Sequence, residues 1–276
     1  MDVHPSVYSR TVPALAPDAL RAEFLVAGLF QKGEARLRYW ETDRTILGGI
    51  CPRETPIPLP NPPELKSAFL LERREAGLVN LAGPCLVRVD GTEYSLGNLD
   101  ALYLGRGSSE VTFRSLSPSE PARLWLLSYP AHAKHASRHV VFLGARGEQL
   151  GGRENANERT LYKLIHPGAF ATCQVVMGVT RLAQGSIWNT MPPHTHMLRS
   201  EVYLYFNIRP GSAVFHFMGQ PQETRHLVVH DCEAVLSPPW SIHSGAGTSN
   251  YDFVWGMGGE NQEFSDMLRA EPEQMR

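Results

Sequence analysis

The reading of the fold turns on Met191-Pro-Pro-His-Thr-His-Met-Leu-Arg-Ser-Glu-Val-Tyr203, which runs on into Leu204-Tyr-Phe206. Residues from Val202 to Phe206 are β-branched, aromatic or leucine, the composition of a buried strand. Just ahead of them, His194 and His196 stand two apart. On a strand, alternate side chains share a face, so both imidazoles point at one place. Glu201 has the opposite parity to that pair. Met197 to Ser200 must therefore turn or bulge the chain, bringing Glu201 to the mouth of the next strand. A fourth donor, His243, ends the Pro-rich turn Ser237-Pro-Pro-Trp-Ser-Ile-His243. Imidazoles and a carboxylate converging in this way suit zinc, manganese, iron or nickel.

Around this stretch the grammar is almost entirely β. Leu78–Leu81, Cys85–Val89, Leu102–Leu104, Val111–Phe113 and Leu124–Leu127 read as strands separated by turn residues. Asp90-Gly91 is a strong hairpin signal, because both residues tolerate positive φ. The pattern resumes at Gln174–Thr180, Ala213–Phe217, His226–Val229, Ala234–Leu236 and Tyr251–Trp255. Short strands with turns at this spacing argue for sandwiches or barrels. One helix is predicted, at Pro17–Leu25, where Pro and Asp open the segment. Arg36–Trp40 is read as an edge strand, and Asn261–Met267 as a last helical turn.

The halves echo one another. Val87-Arg-Val-Asp-Gly91 followed by Leu99–Leu104 has the layout of Phe215-His-Phe-Met-Gly219 followed by Cys232–Leu236. This implies a duplicated β-barrel: an N-terminal one over residues 1–140 and a C-terminal one over 141–276, with the Gly-rich stretch 134–158 as the connection. Where the second copy has Pro238-Pro-Trp240 and its histidine, the first has Gly105-Arg-Gly107. The first barrel is thus expected to hold no metal.

With 276 residues there is room for one large or two medium domains. A formal net charge of −2 gives no basic surface for nucleic acid. No apolar run approaches the ~20 residues of a membrane span, and the N-terminus lacks a signal-peptide pattern. Cys51, Cys85, Cys173 and Cys232 form no CxxC and fit a reducing compartment. A soluble, cytoplasmic protein is expected.

The H-x-H-x4-E pattern with its later histidine resembles the cupin metal signature, and the chain as a whole resembles the 5-keto-4-deoxyuronate isomerase family of the cupin superfamily. The resemblance is carried by Leu71-Glu-Arg-Arg-Glu75, Asp100-Ala-Leu-Tyr103, Trp188-Asn-Thr-Met-Pro192, Met218-Gly-Gln-Pro-Gln-Glu-Thr-Arg-His226, Pro239-Trp-Ser-Ile-His-Ser-Gly245 and Trp255-Gly-Met-Gly-Gly-Glu-Asn-Gln262. It implies an all-β bicupin with a few short helices, often assembled as a homohexamer. It also implies one Zn2+ per chain on His194, His196, Glu201 and His243, and an open-chain keto-deoxyuronate substrate of pectin and uronate breakdown. The implied reaction moves a carbonyl from the first carbon to the second through an enediol. One carboxylate on a divalent ion leaves a formal charge of about +1, which favours an anionic oxygen. Glu223 and His226 are the candidate proton carriers, and Arg225 the candidate oxygen clamp. A metal-dependent cupin dioxygenase and a non-catalytic sugar-binding cupin are the alternatives. His216, in an apolar strand, is read as a core histidine.

Overall fold

The computed structural model describes residues 1–276. The chain divides into two compact units. One comprises Met1–His4, Gly28–Arg146 and Lys163–Met177; the other comprises Pro5–Ala27, Gly147–Tyr162 and Gly178–Arg276. A single cut between residues 140 and 141 does not describe this division, because the chain crosses between the units at both ends of 5–27 and of 163–177. Strand patterning cannot reveal such exchanges, since a strand looks the same in whichever sheet it pairs.

In the N-terminal unit a seven-stranded sheet runs in the order Asp2–His4, Ala35–Trp40, Thr45–Ile50, Leu124–Pro130, Arg74–Asn80, Ala101–Leu104, Arg138–Val140. A four-stranded sheet runs Ile57–Pro58, Val111–Ser115, Cys85–Val89, Thr92–Leu96. The core holds Leu78, Leu126, Val87 and Phe113, all fully buried, as the inner faces of a sandwich require. Asp90 and Gly91 both take positive φ (47° and 88°), and Val89 pairs with Thr92, the two-residue hairpin that the sequence predicts.

A second pair of sheets, built mostly from residues of the other unit, repeats the plan. Its larger sheet runs Gly147–Leu150, Arg159–Ile165, Val176–Leu182, Asp252–Gly259, Arg199–Phe206, Glu233–Ser237, Leu25–Val26. Its four-stranded sheet runs Trp188–Asn189, Ser244–Gly247, Val214–Gln220, Glu223–Val229. The hairpin-and-strand layout noted in sequence therefore corresponds element for element: Cys85–Val89, Thr92–Leu96 and Ala101–Leu104 match Val214–Gln220, Glu223–Val229 and Glu233–Ser237. Every residue of Arg199–Phe206 is buried, as a central strand covered on both faces must be. Gly178 lets the Trp255 ring pack flat on its strand; a Cβ there would lie 2.1 Å from Trp255 Cζ2.

Several sequence expectations are corrected. The stretch 134–158 contains the strands Arg138–Val140 and Gly147–Leu150; these outermost strands are short and largely exposed, so no apolar alternation announces them. The 35–40 strand is not an edge, because Asp2–His4 pairs beside it in parallel. The tail has no helical turn at 261–267; instead Met267–Arg269 forms a two-stranded ribbon with His194–His196. The helix is found at Pro17–Phe24. None of the four cysteines forms a disulfide, and no helix is long and apolar enough to cross a membrane.

Candidate metal centre

His194 and His196 lie on a three-residue strand, Met197 and Leu198 bend the chain, and strand pairing resumes at Arg199. That bend gives Glu201 the parity it needs. It pairs with Ser237 on one side and Met257 on the other, at the end of a fully buried strand. His243 immediately precedes the strand Ser244–Gly247 of the facing sheet. Each of the four residues offers one ligand atom, and these atoms all lie within 4.8 Å of one another. His243 Nε2 is 3.0 Å from His194 Nε2, His196 Nε2 is 2.9 Å from Glu201 Oε1, and His243 Nε2 is 3.7 Å from Glu201 Oε2. Four donors about 2.0–2.1 Å from a common tetrahedral ion stand roughly 3.3 Å apart. The arrangement brackets that spacing, so the residues fit a divalent cation.

Electrostatics agree with the geometry. Burial, reinforced by His243, pushes the His194 pKa down to about 2, and burial pushes His243 down to about 4. Both rings are therefore neutral near pH 7, with a lone pair free for a metal, and the 3.7 Å approach of His243 to Glu201 is not an ion pair. Burial alone would raise the Glu201 carboxyl, but His243 and His196 hold it well below the usual carboxylate range. Glu201 is thus the anion of the group.

A second layer orients the ligands. Asp266 Oδ1 lies 3.1 Å from His196 Nδ1, fixing the tautomer that turns Nε2 toward the cluster. Arg199, 2% exposed, sits 2.7 Å from the same oxygen through Nη1 and also bonds Asn261 Oδ1 and the Glu263 carbonyl. Ser237 Oγ lies 3.3 Å from His243 Nδ1. Burial, and after it the charge of the neighbouring Glu201, keep the Tyr203 phenol well above its ordinary pKa. Asp266 was not legible in the sequence, because it reaches His196 only through the pairing of the 267–269 strand, seventy residues away in the chain.

The other three candidates do not join the group. Arg225 is committed to the backbone: its Nη1 donates to the carbonyls of Val12 and Pro13, and its Nη2 to that of Leu15. It ties down the N-terminal segment and is not a free oxygen clamp. Glu223 is exposed at the start of its strand, and the exposed His226 ring packs 5.9 Å from Phe215. No hydrogen bond or ion pair links them to the four ligands. His216 is fully buried as expected, yet only its Nδ1 is bonded, 2.7 Å from the Tyr205 hydroxyl.

Two seven-plus-four-stranded sandwiches, one with three histidines and a glutamate converging at its mouth, define a protein of the two-barrel cupin class. The profile of the KduI/IolB family matches residues 33–273, and the chain belongs to that family. It is 47% identical over 269 residues, 97% of each chain, to the 4-deoxy-L-threo-5-hexosulose-uronate ketol-isomerase of Yersinia enterocolitica serotype O:8 / biotype 1B. It is 46% identical, with the same coverage, to the protein of that name from Yersinia pestis strain Pestoides F. Among solved structures it is similar to an IolB-like protein of Salmonella typhimurium LT2, with a TM-score of 0.72 at 14% identity over 89% of this chain and 96% of that one. It is also similar to a Bacillus subtilis oxalate decarboxylase variant, with a TM-score of 0.58 at 10% identity over 89% of this chain and 79% of that one. At such identities these structures speak for the fold alone.

Proposed function

We propose that this chain is a metal-dependent ketol-isomerase that converts 4-deoxy-L-threo-5-hexosulose uronate to its 2-keto isomer in pectin and uronate breakdown. The observation that carries this reading is identity of 47% along 97% of both chains to a protein named for that activity, supported by the gathering of three histidines and a glutamate in this chain. The reaction removes a proton from the second carbon, returns one to the first, and passes through an enediol. A divalent ion held by His194, His196, Glu201 and His243 would supply Lewis-acid stabilisation of the developing oxygen charge. Zinc suits the site because three nitrogens and one carboxylate are a zinc donor set and the reaction needs no redox change.

The protein's own groups do the rest. Burial keeps His194 and His243 unprotonated, so they remain donors of lone pairs across the neutral range. Tyr203 stays protonated beside Glu201, so a neutral phenol borders the cluster. Asp266 and Arg199 hold His196 and the tail in register. A cytoplasmic homohexamer with one ion per chain is the assembly that fits this reading.

The test is metal analysis of the purified protein together with a carbonyl-shift assay on the uronate. One ion per chain and turnover that both vanish in His196→Ala, while the folded signal remains, are expected. Turnover that survives complete removal of metal would overturn the metal-dependent mechanism.

A further inference from the structure

Deeper in the same barrel lies a polar row that the cluster does not use. Asn189, Gly245 and His216 are cross-strand partners on three adjacent strands of the four-stranded sheet. Asn189 is 1% exposed and His216 0%. From the facing sheet come Tyr205 and Tyr251: a Cβ on Gly245 would stand 3.0 Å from the Tyr251 hydroxyl and 3.2 Å from that of Tyr205. The glycine keeps clear the place where both phenols approach the row.

The hydrogen bonding of this row is incomplete. Burial pushes the His216 pKa down to about 3, so its ring is neutral. Tyr205 Oη lies 2.7 Å from Nδ1; with the phenol as the donor, the ring proton lies on Nε2. The Asn189 amide is oriented by Thr190, whose hydroxyl donates to Oδ1 over 2.6 Å, so Nδ2 is the free end. His216 Nε2, Asn189 Nδ2 and Tyr251 Oη are all inaccessible and none makes a hydrogen bond of normal geometry, although the Asn189 amide lies near enough to the Tyr205 and Tyr251 hydroxyls to oppose the rise that burial gives their pKa values. Buried polar atoms are almost always bonded, and three unmet donors in one neighbourhood mark a place that something else completes. Each can donate, so an oxygen-rich acceptor would complete all three.

Charge and spacing narrow the choice. Arg159, half-buried, gives one hydrogen bond, to the Asn157 carbonyl, and its positive charge bears on both Tyr203 and Tyr251. The row is linked to the metal cluster by Tyr203, whose ring is 5.8 Å from that of His216 and 5.3 Å from that of His243. Along the backbone, His243 precedes Gly245 by two residues, a rise of about 7 Å. That separation is comparable to an extended six-carbon chain.

We propose that Asn189, His216 and Tyr251, with Arg159 supplying the charge, bind the carboxylate end of the uronate and so place its aldehyde end at the cluster. This rests on the isomerase reading for the identity of the ligand. The probes are the open-chain uronate with its aldehyde reduced to an alcohol, which cannot isomerise, and the carboxamide of that compound. Calorimetry with metal-loaded protein is expected to show the acid bound roughly tenfold or more tighter than the amide. In Tyr251→Phe and in Arg159→Met that preference should fall to about threefold or less, with metal content unchanged. A parent protein without acid preference, or variants that both keep the parent's ratio, would overturn the assignment and leave the row as a site for water. Turnover of the unreduced uronate is scored separately. Its absence, with the acid preference retained, would sink the isomerisation and leave the carboxylate subsite standing.

Discussion

Replacing Asp266 by asparagine removes a negative charge from behind His196 and leaves the shape of the side chain almost unchanged. In the native arrangement the His196 Nδ1–H donates to Asp266 Oδ1 over 3.1 Å, and Arg199 holds the same oxygen at 2.7 Å. Two costs follow, and they are separable. The first falls on the metal. A carboxylate behind a ligating imidazole raises its basicity and fixes its tautomer, and removal of such a partner typically weakens binding about 10–100-fold, or roughly 1.4–2.7 kcal/mol. The second falls on folding. Loss of one partner of a buried ion pair can cost about 3–5 kcal/mol. Here Arg199 retains Asn261 Oδ1 and the Glu263 carbonyl, and the Asp266 side chain is 17% exposed. The penalty is therefore nearer the roughly 1–3 kcal/mol of a single weakened buried bond. The assay is competition for the ion against a chelator, run beside urea unfolding of the metal-free protein. A dissociation constant within about twofold of the parent's would mean that Asp266 serves only Arg199, and the carboxylate–histidine relay would be wrong.

Other substitutions separate the ligands from their surroundings. His243→Ala should lose bound ion and turnover together, as read by metal analysis and the carbonyl-shift assay, because His243 faces both His194 and Glu201. Glu223→Gln should keep turnover within about threefold at matched metal content, since the residue is exposed; a loss of the ~10²–10⁴-fold typical of a removed general base would return Glu223 to the chemistry. Tyr203→Phe should retain the ion but lose turnover on that ~10²–10⁴ scale, because it removes the protonated phenol that borders Glu201 and the cluster. The pH dependence of stability carries the signature of His216. Its folded pKa, about 3, lies below the unfolded value of ~6.5, so only the unfolded chain gains this proton as the pH falls between them. The contribution is constant above ~6.5 and is lost at roughly 1.4 kcal/mol per pH unit below it. Urea titrations of metal-free parent and His216→Asn at pH 7, 6 and 5 should show the difference between the two proteins shrinking with acidity; a constant difference would contradict a buried neutral ring.

The sequence by itself determined the all-β class, the duplication and the four residues, His194, His196, Glu201 and His243, that gather in one cluster. These follow from local rules. Alternation with period two is written in every strand that has one buried face, Asp90-Gly91 can only turn, and a pair of histidines two apart must share a face of whatever strand carries it. The bend at Met197 and Leu198 was legible for the same reason, since Glu201 has the wrong parity without it. What the tertiary structure alone decided depends on which strands become neighbours. Arg225 looked available in its polar run, but the segment 12–15 folds against it and takes its donors. Asp266 gained its place behind His196 because the last strand pairs with the ligand strand. His216 and Asn189 meet Tyr205 and Tyr251 only when two sheets close on one another, with Gly245 leaving the space between. Periodicity records which face a residue takes; it holds no record of what the opposite sheet brings to that face, because that contact costs no local pattern in either strand.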